Sequence, residues 1–114
     1  MIELRLTEEQ AIIVSSACEF YARILMGQFQ EIGYHCPKMP GSGNYDESTQ
    51  AWLYLRKFIY PELKGPGHSY GIGKFMTADK AYDVHQVIQY AMGGKEPFSY
   101  NKLPECRKVG DTND

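Results

Sequence analysis

A glycine-rich stretch lies between two segments with helical periodicity, and it limits how the chain can fold around it. Residues 63–75 read LKGPGHSYGIGKF and include Gly65, Gly67, Gly71 and Gly73. Four glycines in nine positions permit sharp turns and a close approach to a partner, at an entropic cost that a plain connection need not bear. We predict that this segment, called the glycine loop below, carries the function.

The longest helical pattern is predicted over about residues 8–32, where apolar side chains recur three and four positions apart. Thr7 and Gln10 form a capping box at its start. Gly27 lies inside the pattern, either at a close helix crossing or where a ligand touches the backbone, and Gly33 is the expected C-cap. The apolar face is wide enough for the centre of a small bundle or for a subunit interface.

Two further helices are predicted, one on each side of the glycine loop. The first begins near Asp46 or Ser48 and ends before Pro61, because the residue that precedes a proline disfavours helical geometry. The second is capped by Thr77, spans residues 78–92 and is closed by the glycine pair that follows.

The alternation of Ile2, Leu4 and Leu6 with polar residues predicts a short N-terminal strand. A weaker alternation over residues 98–103 offers a second strand with which it could pair. The predicted fold class is therefore α+β and helix-rich, with three main helices and this strand pair. We expect one compact domain over residues 1–104 and a flexible tail over residues 105–114.

The net charge of −2 hides an uneven distribution along the chain. Residues 1–55 carry three basic and seven acidic residues, residues 56–74 carry four basic and one acidic, and the remainder carries five basic and six acidic. This local basic excess suits a small anion but falls short of the surface expected of a nucleic-acid-binding protein. No apolar run approaches the roughly 20 residues that span a bilayer, so we expect a cytoplasmic protein without membrane contact.

The cysteines argue against a disulfide framework and against a zinc site. Cys18, Cys36 and Cys106 are odd in number and lack CxxC spacing. Cys18 lies on an apolar helical stripe, where a buried thiol is the simplest interpretation. His35 beside Cys36 is weak evidence for a metal without a second ligand pair. We predict no metal and no cofactor.

The glycine loop does not match the catalytic and nucleotide-binding motifs that its glycines suggest. Gly73 and Lys74 are followed by Phe75 instead of the Ser or Thr that a phosphate-binding P-loop requires. Gly65 and Gly67 do not continue into the dinucleotide fingerprint. A serine next to a histidine, as at positions 69 and 68, does not make a catalytic triad without a suitable geometry. We therefore expect a binding protein with no catalytic residues.

The remaining pattern is that of a site for a small phosphorylated or nucleotide-like ligand. Loop amides, basic side chains and a histidine would contact an anion, and tyrosines, Tyr82 among them, would stack on a base. The predicted ligand-binding residues are Arg56, Tyr60, Gly67, His68, Ser69, Tyr70, Gly71, Lys74 and His85. The alternatives are a solvated or ion-paired Arg56, an exposed helical face around His85, and a purely structural turn with Tyr70 packed on the helices.

Three runs in the chain resemble a family of small phage and prophage proteins, most of them of unassigned function. The runs are Leu6–Ala11 with its continuation through Phe20–Arg23 and Met26–Phe29, the loop segment Tyr70–Ile72, and Ala81–Ile88. The chain is also similar in size, acidity and expected homo-oligomerisation to phage sponges that hold cyclic nucleotide or cyclic ADP-ribose signals between subunits.

This resemblance implies a phage-encoded, homo-oligomeric anti-defence protein that sequesters an immune nucleotide in the host cytoplasm. It transfers no ligand residues to this chain. Two other interpretations stay open. The protein is alternatively an inhibitor that binds a host defence protein through an exposed helix face, or a structural or accessory phage protein whose glycine loop only turns the chain.

Overall fold

The computed structural model describes residues 2–36 and 45–94 of the 114-residue chain, with only the backbone at positions 45 and 46. The regular structure in these two ranges is entirely helical. It comprises α1 (Glu8–Leu25), α2 (Glu31–His35), α3 (Tyr45–Ile59) and α4 (Met76–Ala91). The helix-rich part of the predicted fold class is confirmed, and its α+β part is wrong for the described residues.

The predicted N-terminal strand is not formed. Residues 2–6 precede α1 without a strand assignment, and their side chains are exposed. Alternating residues make a strand only where a second strand supplies the hydrogen-bonding ladder. The proposed partner at residues 98–103, like the predicted tail at 105–114, lies outside the described residues.

α1 begins as the sequence predicts. The amide of Thr7 donates to Oε1 of Gln10 at 3.0 Å, and the amide of Gln10 donates to Oγ1 of Thr7 at 3.1 Å. This reciprocal pair satisfies two of the amides that every helix N-terminus leaves without a backbone partner. The acidic residues Glu8 and Glu9 in the first turn complement the helix dipole.

α1 ends seven residues earlier than predicted, because Gly27 terminates the helix. Gly27 has φ of +86°, its amide donates to Ile24, and the amide of Gln28 donates to the carbonyl of Arg23 at 2.9 Å. This is the Schellman pattern, which a left-handed glycine commonly completes. Gly33 is consequently not a C-cap and lies within the short α2.

α3 and α4 lie where the sequence predicts them, with one correction. Thr77 does not cap α4, since the N-cap is Phe75 and Thr77 lies in the first turn. The carboxylate of Asp79 instead accepts from the amide of Gly73 at 3.0 and 3.1 Å and so fixes the entry to α4. Gly93, with φ of +97°, closes the helix as expected.

The core lies between α1 and α4, which pack as an antiparallel pair. Ser15 of α1 contacts His85 and Gln89 of α4, whereas Ala22 and Met26, further along α1, pack on Ala78 at the start of α4. The fully buried alanines let the two backbones approach closely. α3 does not pair along either helix, and it meets this pair through the glycine loop.

Candidate functional site

A buried side chain holds the first half of the glycine loop. Arg56 of α3 is 1% exposed, and its Nη1 donates to the carbonyl of His68 at 2.7 Å. Its Nη2 donates to the carbonyls of Leu63 and Gly65. The guanidinium also lies 5.4 Å from the ring centroid of Trp52. A planar group with several fixed donors suits this task better than a lysine, and Arg56 therefore organises the loop.

A second set of contacts fastens the loop to the end of α1. The hydroxyl of Tyr60 donates to the carbonyl of Leu25 at 2.7 Å, and the amide of Tyr70 donates to the carbonyl of Met26 at 2.8 Å. The ring centroids of Tyr60 and Tyr70 are 5.6 Å apart, and those of Tyr70 and Phe75 are 5.2 Å apart. These bonds occupy two carbonyls that the C-terminus of α1 leaves without a partner inside the helix.

The other side of the loop borders an open cleft of about 220 Å³ between the end of α1 and the start of α4. Polar and aromatic side chains from three parts of the chain meet there. The lining residues are Arg23, Met26, Gln28, Ser69, Tyr70, Gly71, Ile72 and Tyr82. We call this feature the loop cleft. It combines hydrogen-bond donors with aromatic surface, the usual composition of a small-molecule site.

Arg23 is the cationic side chain that lines the loop cleft. Its Nη1 donates to Oε1 of Gln28 at 2.8 Å, and Nε2 of Gln28 donates to Oγ of Ser69 at 3.5 Å. The carboxylates of Glu19 and Glu31 lie 3.8 and 3.7 Å from the guanidinium, beyond good hydrogen-bond distance. Its Nε is buried and has no hydrogen-bond partner among the described residues. Beside the cleft, the guanidinium of Arg23 thus has one short hydrogen bond and two long ion pairs.

The outer edge of the loop carries a phenol–carboxylate pair. The hydroxyl of Tyr70 donates to Oε2 of Glu62, and this bond raises the pKa of Tyr70 to about 12. The same bond is the main reason that the pKa of Glu62 is lowered, with backbone hydrogen bonding and the nearby lysines adding to it. Nζ of Lys74 lies 5.2 Å from the centroid of the Tyr70 ring. The phenol of Tyr70 therefore stays neutral further into the alkaline range than an ordinary tyrosine does.

The structure divides the predicted site residues into four groups. Ser69, Tyr70 and Gly71 line the loop cleft together. Arg56 and Tyr60 are engaged with backbone carbonyls and serve as scaffold. The remaining loop residues, Gly67, His68 and Lys74, are exposed, and Nδ1 of His68 accepts from the amide of Gly65 at 3.3 Å. His85 belongs to another cluster, between α1 and α4. The prediction that these nine residues bind a ligand stays a prediction.

His85 takes part in a polar cluster with the connectivity of a catalytic triad. Its Nδ1 lies 2.8 Å from Oγ of Ser15, and its Nε2 lies 3.0 Å from Oε2 of Glu19, which places a proton on Nε2. Nε2 of Gln89 also donates to Oγ of Ser15 at 3.0 Å. Ser15 is 0% exposed, so no substrate reaches its hydroxyl. The cluster joins the two helices and does not form a nucleophilic centre.

Sequence reasoning missed Arg23 and Gln28 as site residues. The end of α1 determines the positions of both residues, because the turn at Gly27 brings Gln28 back toward Arg23. The signal was present, because a glycine after an apolar helical stripe is a common helix terminus. The sequence analysis predicts a helix that continues to residue 32, and such a helix does not show that the side chains of Arg23 and Gln28 meet.

The described residues form neither a metal-binding cluster nor a membrane-spanning helix. In the described ranges, residues 2–36 and 45–94, no three histidine, cysteine, aspartate or glutamate side chains converge on a point where a metal ion could bind. Of the helices described, none combines the length and the apolar composition needed to traverse a bilayer. The loop cleft, with its polar and aromatic lining, is the candidate functional site.

A comparison of this chain with protein-family models, with curated proteins and with solved structures finds no match. The candidate site therefore rests on the geometry of this chain.

Proposed function

We propose that this protein binds a small phosphorylated, nucleotide-like ligand in the loop cleft and releases it unchanged. The observation that carries the proposal is the convergence of Arg23, Gln28 and Ser69 on a cleft that also has a tyrosine wall. A guanidinium, an amide and a hydroxyl together offer the donors that a phosphate requires. Tyr82 also lines the cleft, and a nucleobase would stack on the part of its ring that is not packed against the core.

The ion pairs of Arg23 are too long to be strong hydrogen bonds. Its two carboxylate neighbours are partly buried and lie at 3.7 and 3.8 Å, beyond the about 2.7–2.9 Å of a charge-assisted hydrogen bond. A phosphate at hydrogen-bond distance would form shorter, charge-assisted bonds than either pair. Ligand binding would therefore replace weak contacts with strong ones.

The size of the loop cleft limits how much of a ligand it holds. Its volume of about 220 Å³ lies below the roughly 300 Å³ at which pockets for drug-sized molecules begin. One phosphate with its sugar, or one base, fits this space, and the rest of a nucleotide would extend across the rim. A homo-oligomer, as the sequence leads us to expect, would supply a second wall.

Binding without turnover agrees with the chemistry of the side chains at the site. The serine that is paired with a histidine and a glutamate, Ser15, is fully buried between α1 and α4. In the loop cleft, the hydroxyl of Ser69 contacts the side-chain amide of Gln28, which is not a general base. A nucleophile without a base remains weak at neutral pH. We therefore assign sequestration as the role.

As a biological role we propose phage anti-defence, in which the protein removes a host immune nucleotide from solution. The support is the resemblance to small phage proteins, joined to the anion-binding character of the loop cleft. The experiment mixes purified protein with cyclic ADP-ribose or a cyclic dinucleotide, removes unbound nucleotide, denatures the protein and analyses the supernatant. Recovery of the intact nucleotide supports sequestration. Recovery of a hydrolysed product points to an enzyme, and recovery of neither rejects the proposal for these ligands.

A second function is favoured by the outer surface of α1. Ile12 and Ile13 are largely exposed there, and Tyr21 is exposed two turns further along. Exposed apolar side chains on one helix are also found at protein-binding sites. An inhibitor of a host defence protein would use this face and leave the loop cleft empty. A host protein that co-purifies with wild type, and is lost on Ile13→Lys but kept on Arg23→Gln, would favour this function.

A further inference from the structure

Arg23, at the edge of the loop cleft, lies between two carboxylates, and each carboxylate also faces a histidine. Oε2 of Glu19 lies 3.8 Å from Nη2 of Arg23 and 3.0 Å from Nε2 of His85. Glu31 lies 3.7 Å from Nη1 of Arg23 through one oxygen and 3.8 Å from Nε2 of His35 through the other. Arg23 therefore shares each carboxylate with a histidine. We call these five side chains the charged cluster.

The charged cluster is partly shielded from water. The side chains of its two glutamates are 27% and 14% exposed, and those of its two histidines are 31% and 17% exposed. The members come from α1, α2 and α4, and rings of Phe20 and Tyr82 lie against His35 and His85. Partly buried charges are screened by salt less than charges on an open surface. A change in the charge of one member therefore acts on the others.

His85 can accept a second proton within the packing that the structure shows. Its Nε2 faces Glu19, and its Nδ1 lies 2.8 Å from Oγ and 3.1 Å from the carbonyl oxygen of Ser15. In the neutral ring, Nδ1 accepts from that hydroxyl. In the protonated ring, Nδ1 donates to the carbonyl, and the hydroxyl turns to the carbonyl of His85, 3.3 Å away. Both protonation states of His85 thus find hydrogen-bond partners between α1 and α4.

We propose that His35 and His85 are pH-sensitive positioning residues that control how strongly Arg23 attracts an anion in the loop cleft. Histidine changes its charge between about pH 5 and pH 8. With both histidines neutral, one cation and two carboxylates give the charged cluster a net charge of −1. With both protonated, three cations and the same two carboxylates give +1. Acidification therefore makes the surroundings of Arg23 attract an anion.

Protonation of the histidines also gives the carboxylates a better partner than Arg23. A protonated His85 at 3.0 Å from Glu19 forms a charge-assisted hydrogen bond, which is stronger than the 3.8 Å ion pair of Glu19 with Arg23. The guanidinium then loses less when it turns to a phosphate. This pH dependence of binding rests on the function proposed above, whereas the coupling between Arg23 and the histidines is a property of the protein without ligand.

The first experiment tests that coupling without a ligand. NMR titration of the histidine rings follows their protonation in wild type and in variants. Arg23→Gln should move the titration midpoints of His35 and His85 to higher pH, because a nearby positive charge is removed. Arg5→Gln, which removes an exposed arginine before α1, is the matched control and should titrate like wild type. Midpoints that are the same in wild type and in Arg23→Gln would overturn the proposal.

The second experiment measures the binding of a cyclic dinucleotide by equilibrium dialysis at about pH 6 and about pH 8. The phosphodiesters of this probe carry the same charge at both pH values. We expect wild type to bind about three- to tenfold more tightly at the lower pH, the effect of two partly exposed ion pairs. The double variant His35→Gln, His85→Gln should lose most of this difference. If circular dichroism shows that it is unfolded, His35→Gln alone should reduce the difference.

A further variant changes the charge of the cluster at constant pH. Glu31→Gln removes one carboxylate, so at about pH 8 it should bind the dinucleotide about two- to fivefold more tightly than wild type. Glu3→Gln removes an exposed carboxylate before α1 and should bind like wild type. Binding by wild type that is independent of pH would overturn the control by histidines and leave the ligand proposal intact. Absence of binding at both pH values would reject the nucleotide ligand and the pH-dependent binding together.

Discussion

The guanidinium of Arg56 donates to the carbonyl of His68 at 2.7 Å, across twelve residues of sequence. With the bonds to Leu63 and Gly65, this contact fixes the first half of the glycine loop from the inside. The sequence predicts that Arg56 binds the ligand, whereas in the structure its guanidinium donates to carbonyls of the loop. The donors of Arg23 and Gln28 line the loop cleft instead.

Replacing Arg56 with lysine should loosen the loop and destabilise the fold. Lysine keeps the charge but cannot reach three carbonyls with a planar fork, and at least one buried carbonyl loses its partner. We expect a loss of about 2–4 kcal/mol in the free energy of unfolding. Urea denaturation measures the loss, and hydrogen exchange should show faster exchange of the amides of His68 and Tyr70.

The matched control for that change is Lys57→Arg, which alters an exposed neighbour on the same helix. It should leave stability and exchange as they are in wild type. Equal stability of Arg56→Lys and wild type would mean that the three carbonyl contacts do not hold the loop in solution.

Replacing Gly27 with alanine should destabilise the end of α1. The residue has φ of +86°, and an added Cβ would lie 2.5 Å from Cδ1 of Leu63. The leucine can rotate away, but the left-handed backbone still disfavours alanine, so we expect a loss of about 1–2 kcal/mol. Thermal or urea denaturation measures it.

Gly67→Ala is the control for Gly27→Ala, because an added Cβ at Gly67 meets no atom within 4 Å and its φ is not positive. It should change stability by a few tenths of a kcal/mol at most. A destabilisation of similar size in the two variants would contradict the special role assigned to Gly27.

The Tyr70–Glu62 bond should appear as a late step in the alkaline titration of the tyrosines. The pKa of Tyr70 is raised to about 12 by its bond to the carboxylate, whereas an ordinary tyrosine ionises at about 10. The contribution of the neutral phenol to stability is therefore complete below pH 10 or so and is lost as the pH rises toward the raised value. Phenolate absorbance follows the step.

Tyr70→Phe should remove that late step, and Glu62→Gln should move it back toward the ordinary range. For Glu62 the pH dependence of stability runs in the opposite direction. Because the pKa of Glu62 is lowered, its contribution to stability is complete above the ordinary pKa range of a glutamate and is lost as the pH falls through the lowered pKa. A titration that is unchanged in Glu62→Gln would show that the two groups do not interact in solution.

The two cysteines of the described residues should differ in reactivity. Burial raises the pKa of the Cys18 thiol, whereas Cys36 is exposed after the end of α2. Because the thiolate is the reactive form, Cys36 should be alkylated by iodoacetamide before Cys18. Peptide mapping at successive times measures the order, and unfolding in urea should abolish the difference. Faster labelling of Cys18 in the folded protein would contradict the packing of α1.

Local signals in the sequence predicted most of the helical framework. The capping box at Thr7 and the proline at position 61 fix where α1 begins and where α3 ends, because both act through the backbone of their immediate neighbours. Gly93 closes α4 for the same reason. Each of these boundaries depends on residues close together in the chain.

The predictions that failed depend on contacts distant in sequence. The alternation in residues 2–6 carries no information about whether a second strand is available. Gly27 suits a helix interior or a helix end, and only the structure shows that it adopts the left-handed φ of +86° that ends α1. An arginine close to a glycine-rich loop is typical of a ligand-binding residue. Only the fold shows that Arg56 donates its hydrogen bonds to carbonyls of the loop itself. The end of α1 brings Arg23 and Gln28 together, so identifying these two candidate site residues requires the correct position of that helix end.

The most direct measurement of the central claim is the affinity of the loop cleft for a nucleotide, determined by equilibrium dialysis with cyclic ADP-ribose and with a cyclic dinucleotide. We expect wild type to bind at least one of them, and Arg23→Gln to weaken that binding by about ten- to a hundredfold, the value of a charge-assisted contact to phosphate. Arg5→Gln makes the same change in net charge on exposed N-terminal residues and should bind like wild type. Absence of binding to wild type, or equal binding by Arg23→Gln, would contradict the assignment of the loop cleft as the ligand site.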